Sequence, residues 1–447
     1  MDRKLVRTVL AVCMILLAAG LGFAGGQSEG GGGGGAEEAE EGGYDPIVVL
    51  IWSGPEYDNL RDVAQAYQDQ TGNEVIVEEV AREALQEKVT TVLVSGSRDY
   101  DVIYIDSATL PGYVEGGLLA NLSTFIDDPN VVAPEFSSEN LEPGISFLSV
   151  DGNVYGLPSE GDTAWLFYRS DLLAEAGLDV PQTWDEFLAA AQELNDPPDR
   201  YGAVIGARRD EAMWDFMHYY FGFGGQIFDP DTYEVTFNNE VGVEALDFYG
   251  SLLRDHGVVT PDVTTYGYNE ILSSLQNGRA AMGVEWMAAT DSLTDPEVSP
   301  MVHDKLEYTL IPGVRDSDGN VMRGQGGSQW GWAVPAESTK KEAAYKFIEW
   351  LTGTEGGKMW ALNGGIPSNT AVLSDPEVVE EVPQFELLAE AMPYRNIMPL
   401  TTVSVKINDA FGEAAHRVVA TDESAEALAD EAAASIEDAL REGGYLE

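Results

Sequence analysis

Tryptophan, carboxylate and arginine side chains are the groups of this chain best placed to do chemistry. Nine of its 447 residues are Trp, and 77 are Asp or Glu. With so many acids, a carboxylate pair at any spacing is uninformative, so position must decide. The apolar run 47–52 (IVVLIW) reads as a buried parallel strand, and DVIYI at 101–105 as another. Trp52 and Ser53 then fall at the carboxyl end of one strand, and Asp106 and Ser107 at that of the other. In open α/β sheets ligands sit beyond those ends. A Trp ring offers a flat apolar face, and an ionised carboxylate accepts strong, oriented hydrogen bonds. Together they suit a ligand with apolar faces and a hydroxylated rim, such as a sugar. Arginine is scarce. Arg82 opens the second helix, where a surface ion pair is the simpler role, and Arg395 lies in the proline-flanked loop PYRNIMP. A guanidinium fork there can hold hydroxyls or an anion.

Several chemistries are excluded. His218, His256, His303 and His416 show no metal-ligand spacing. GFGGQ at 222–226 lacks the strand and helix of a dinucleotide fingerprint, and no G-x-S-x-G or H-E-x-x-H occurs. No cofactor is expected. A net charge of −53 argues against nucleic-acid or anionic-membrane partners. Only eight lysines accompany it, which suggests a saline medium that screens self-repulsion; an ordinary acidic exported protein is the alternative.

The elements that must position these groups begin after a leader. Arg3, Lys4 and Arg7 precede an apolar run from Val9 to Leu21, and Gly22-Phe23-Ala24 offers a cleavage site. Residues 1–24 therefore read as a secretory signal. Cys13 is the only cysteine. It reads as filler within the signal, with lipidation and a membrane tether as the minority reading. Residues 25–43 are a Gly/Glu-rich flexible linker. Strand, helix, strand, helix, strand then follow up to Ile105, a right-handed α/β unit. Asp151-Gly152 is a hairpin-type turn, Trp165–Tyr168 a short strand, and Ser170 and Gly177 bracket a helix. Thr183-Trp184-Asp185-Glu186 fits a capping box opening the next helix. The chain ends in two Ala-rich amphipathic helices over 407–440.

The pattern G-x-x-Y-G-x-P, then L-x-Y-x-x-D-L, A-G-L and P-x-T-W-D-E-F, running from Gly152 to Phe187, resembles the carbohydrate-type extracellular solute-binding proteins of ABC importers (family 1, maltose/trehalose-binding-protein-like). So do N-G-x-A-A-M before the strand bearing Trp286, GGSQWGWAVP at 326–335 and GGIPSN at 364–369. Each motif alone is loose; their order and spacing over nearly the whole exported chain carry the resemblance. It implies an α/β, two-lobed periplasmic-binding-protein fold, type II-like, with a ligand cleft between lobes and hinge crossovers. Lobe one would take 44–164 plus 325–354, and lobe two 165–324 plus 355–447. Hinges are expected at 161–164, 324–327 and 352–357. The resemblance places Trp286 and Trp330 at the cleft beside Trp52, and Asp162 in the first crossover. It implies no catalysis, capture of a mono- or oligosaccharide, delivery to membrane permease subunits, and a monomer outside the cytoplasm. A non-sugar solute (polyol, phosphodiester or peptide) is the alternative. A secreted glycoside hydrolase, which would need two carboxylates across the scissile bond, is a weaker one.

Overall fold

The computed structural model describes residues 45–446. The expected signal, Cys13 and the whole of the expected linker lie outside the described residues.

In chain order the strands that matter are β1 (Ile47–Trp52), β2 (Val75–Val80), β3 (Val102–Asp106), β4 (Gly156–Glu160), β5 (Ala164–Arg169), β6 (Tyr201–Val204), β7 (Ala280–Trp286), β8 (Leu306–Leu310), β9 (Gln325–Gly326), β10 (Trp330–Ala333) and β11 (Arg395–Asn396). They form two main sheets. The first has the order β2-β1-β3-β10-β4, and the second β8-β5-β7-β6. Strands β1, β2 and β3 are parallel; the continuous apolar runs of β1 and β3 suit their inner places, while β2, VIVEEV, is the half-exposed edge. Strand β10 arrives from far along the sequence and runs antiparallel between β3 and β4. In the second sheet β5 is antiparallel to both β7 and β8, and β6 is parallel to β7. Strand β9, just before β10 in the chain, forms a short separate parallel pair with β11.

Each sheet has its own core. Val49, Ile51, Ile103 and Ile105 pack with Leu60, Val63, Tyr345 and Phe347 on the helices Pro55–Thr71 and Lys341–Thr352. Leu166, Trp184, Phe187, Phe216 and Tyr249 build the second core, closed by the C-terminal helices Ser404–Ala420 and Ala425–Glu442. Trp184, Trp350 and Trp360 pack against these cores, as their places on amphipathic helices imply.

Local signals act as read. The Thr183 hydroxyl accepts from the Glu186 N–H (3.2 Å), and the Glu186 carboxylate accepts from the Thr183 N–H (3.2 Å). Asp151 and Gly152 take φ of 50° and 74° in the turn of a small hairpin, and Gly177 ends its helix at φ 69°. One detail differs. Ser170 is the first helical residue rather than the cap, because its hydroxyl donates to the Lys305 carbonyl (3.0 Å) across to the neighbouring segment.

Candidate ligand-binding site

Sheet register gathers the site. In β10, Trp330 stands directly opposite Asp106 of β3 on one side and Glu160 of β4 on the other. In the second sheet, Ala164 of β5 stands opposite Trp286 of β7. Glu160 and Ala164 are joined by three residues, a span of at most about 14 Å. One tryptophan from each sheet therefore flanks the same crossover.

On the first-sheet side the rings form a stack. Tyr104 lies nearly parallel to Trp330 with centroids 5.4 Å apart. Trp52 meets Trp330 edge-on at 4.5 Å and Tyr104 at 4.8 Å. Trp330 is partly exposed, whereas Trp52 is only 1% exposed and backs the stack. The Arg82 guanidinium sits 4.2 Å from the Trp52 ring centroid and pairs with Glu56 at 3.7 Å. Ser53 is exposed at the end of β1. Ser107 is buried and its N–H donates to the Gln329 carbonyl (2.9 Å). On the second-sheet side, Trp286 is partly exposed and meets Trp214 at 6.3 Å and the buried His218 at 4.9 Å.

The crossover strands are pinned by polar side chains. Thr163 pairs with Gly327 across an isolated bridge, and its hydroxyl donates to the Gly326 carbonyl (2.9 Å). Gln325 donates to the Ala164 carbonyl (2.9 Å), and Gln329 to the carbonyls of Glu160 (2.8 Å) and Trp330 (2.7 Å). Arg395 is 4% exposed; it donates to the Ser328 carbonyl (2.6 Å) and to Gln329 Oε1 (3.3 Å). The structure thus places Arg395 beneath the crossover as a clamp on its backbone. Gly326 must be glycine: a Cβ there would lie 2.7 Å from His218 Nδ1 and 2.8 Å from Met217 Cγ.

Carboxylates dominate the electrostatics. The partly buried Glu160 accepts from the Tyr104 hydroxyl (3.2 Å); burial, with Glu56 adding repulsion, pushes its carboxyl up to about 7. Asp162 is 8% exposed and accepts from the Thr163 N–H (2.9 Å). Burial, then Glu160, holds it well above the ordinary range, against the pull of Arg395 and Arg82. Asp106 is also raised by burial, although it accepts from the Ala108 N–H (2.8 Å) and so caps the turn after β3. Burial lowers Arg395 to about 10, against the opposing charges of Asp162 and Glu160. Glu285, 3% exposed beside Trp286, is raised by burial as well. Asp215 is pushed up to about 7 by burial, although it accepts from Tyr249 (2.7 Å) and the Gly206 N–H (2.9 Å).

These shifts fix a pH dependence. The unfolded chain releases carboxyl protons near pH 4, whereas Glu160 and Asp215 keep theirs to about 7 when folded. Their contribution to stability is full below about pH 4, declines as pH rises toward 7, and is lost above it. At fixed high salt the melting temperature should fall between about pH 5 and about pH 8, with Asp215 responsible for on the order of 2–4 kcal/mol. Asp215→Asn should flatten the decline. A melting temperature that rises over this interval would contradict the assignment.

Glu160, Glu285, Trp214 and His218 were not singled out by sequence reading. Glu285 left one signal: an acid inside the otherwise apolar strand AAMGVEW.

The model of the bacterial extracellular solute-binding protein family matches residues 52–358, more than half of the sequence. The chain belongs to that family. The family is one of extracellular, non-catalytic solute-binding proteins. A probable ABC transporter-binding protein of Deinococcus radiodurans is 29% identical over 82% of this chain and 86% of its own. A mannitol-binding protein of Pseudomonas aeruginosa is 28% identical over 65% of this chain and 64% of its own. An ABC transporter solute-binding protein from Agrobacterium radiobacter, solved with ribitol, superposes with a TM-score of 0.70 at 25% identity, covering 89% of this chain and 99% of that one. The solute-binding protein described here therefore has the bilobed α/β fold, and its partners are a small-molecule ligand and the membrane subunits of an ABC importer.

Proposed function

We propose that this solute-binding protein captures a neutral carbohydrate or polyol between its lobes and hands it to an ABC importer. The observation that carries the reading is the pair of partly exposed tryptophans, Trp330 and Trp286, that the two sheets hold on either side of one crossover. Their faces would stack on the C–H surfaces of the ligand, while Asp106, Glu160 and Asp162 accept from its hydroxyls. Ser53 and Ser107 would complete the rim of lobe one, and Trp52 and Arg395 would hold the rings and the crossover in place. The mannitol and ribitol in the names of two relatives support a polyhydroxylated ligand.

The lobes would comprise 44–164 plus 325–354 and 165–324 plus 355–447; the first sheet's strands within 47–160 and 330–333 and the second's within 164–310 support a division near the first crossover. A type II-like arrangement is supported by β10, which returns from the second lobe into the interior of the first sheet. Residues 1–24 would direct export. Ligand contacts that exist only when both lobes touch it would favour a closed form for the importer to read.

Thermal-shift measurement against a library of sugars and polyols tests the reading. A ligand at a hundredfold excess over its Kd stabilises the fold by about 2.7 kcal/mol. At least one neutral member should raise the melting temperature. A library that leaves it unchanged while an amino acid or peptide raises it would overturn the proposal.

A further inference from the structure

Behind Trp286 lies a cavity of about 20 Å³, walled by Trp214, Asp215, His218, Tyr268, Glu285 and Trp286 among others. That is room for a single water-sized group. Its walls are largely apolar, with one carboxylate oxygen left unpaired. Glu285 Oε1 accepts from the Trp286 N–H (2.8 Å), but Oε2 is buried and has no partner. His218 is 1% exposed and lies against Gly326. A buried acceptor left unpaired is costly, and an entering donor removes that cost.

The cavity faces the cleft. Trp214 is 39% exposed at its rim, and Trp286 is partly exposed. The Tyr268 hydroxyl in its wall feels the charges of Glu285, of Asp162 in the crossover and of Arg82 from the first lobe. Three carboxylates, Glu211, Asp215 and Glu285, line the space. The Arg208 guanidinium is already engaged by Glu211, Asp210 (2.9 Å) and Glu270 (3.1 Å). An anionic group entering here would be buried beside Glu211, Asp215 and Glu285, with Arg208 engaged elsewhere.

We propose that this cavity is a subsite for an uncharged, hydrogen-bond-donating end group of the ligand, with Glu285 as the acceptor, and that it rejects ligands ending in a carboxylate or phosphate. The chemistry is that of a terminal hydroxymethyl group, as on a hexitol or an aldose. The proposal rests on the carbohydrate or polyol reading and narrows it to neutral members with a free primary alcohol.

Calorimetric titration with D-mannitol, ribitol and maltose, and with the terminal-methyl and terminal-carboxylate derivatives of whichever binds, tests it. The methyl form should bind about tenfold to a hundredfold more weakly, because it leaves Glu285 unpaired. The carboxylate form should bind at least about a hundredfold more weakly, because it buries an uncompensated charge. Glu285→Leu, which removes the hydrogen-bond partner, should shrink the methyl penalty at least about tenfold. Equal affinities of the wild-type protein for all three forms would overturn the subsite and leave the capture function standing, whether or not the variant folds. Failure of every neutral probe and of the wider library would overturn both.

Discussion

Alanine in place of Trp330 is expected to weaken ligand capture by at least about a hundredfold, the range of an aromatic anchor at a binding centre. Trp330 is the ring of the first-sheet stack that remains partly exposed, and register sets it between Asp106 and Glu160. Its neighbours Trp52 and Tyr104 hold it from behind, so the variant should keep its fold with only a modest drop in melting temperature. Calorimetry beside a melting curve separates the effects. Full affinity in the variant would remove Trp330 from the site.

Trp52 should behave in the opposite way. It is 1% exposed and packed against Trp330 and Tyr104, with the Arg82 guanidinium over its face. Trp52→Ala should cost about 3–5 kcal/mol of stability, the usual range for a buried large aromatic. That is a sizeable share of the roughly 5–15 kcal/mol by which domains are stable. Affinity should fall too, because Trp330 loses its support, and Trp52→Phe should restore much of both. Denaturant unfolding gives the answer, and a loss below about 1 kcal/mol would show that the ring is not part of the core.

The fold was readable in proportion to how local its signals are. The run IVVLIW, the capping box at Thr183 and Glu186, and the left-handed Gly177 each depend on a few adjacent residues, and each took the expected form. The fold class came instead from motif order, since no local rule tells a chain that Trp330 will slot between residues 106 and 160. That register is a long-range event, and it explains why Glu160 escaped notice while Asp106, at the visible end of a strand, did not. Asp162 and Trp286 were reachable only through resemblance. His218 sits on an aromatic helix whose other residues are plain core, so composition hides its contact with Trp286. Arg82 illustrates mixed success: a surface ion pair was anticipated, but neither its partner Glu56 nor its packing over Trp52 was.

The most direct test of capture without chemistry is calorimetric titration at high salt with D-mannitol, ribitol and maltose, followed by recovery of the ligand. Saturable binding of a single molecule of at least one of them per chain, recovered chemically unchanged, is expected. A recovered ligand that has been cleaved or otherwise transformed, or no saturable heat with any of the three or with any member of a wider sugar and polyol library, would contradict it.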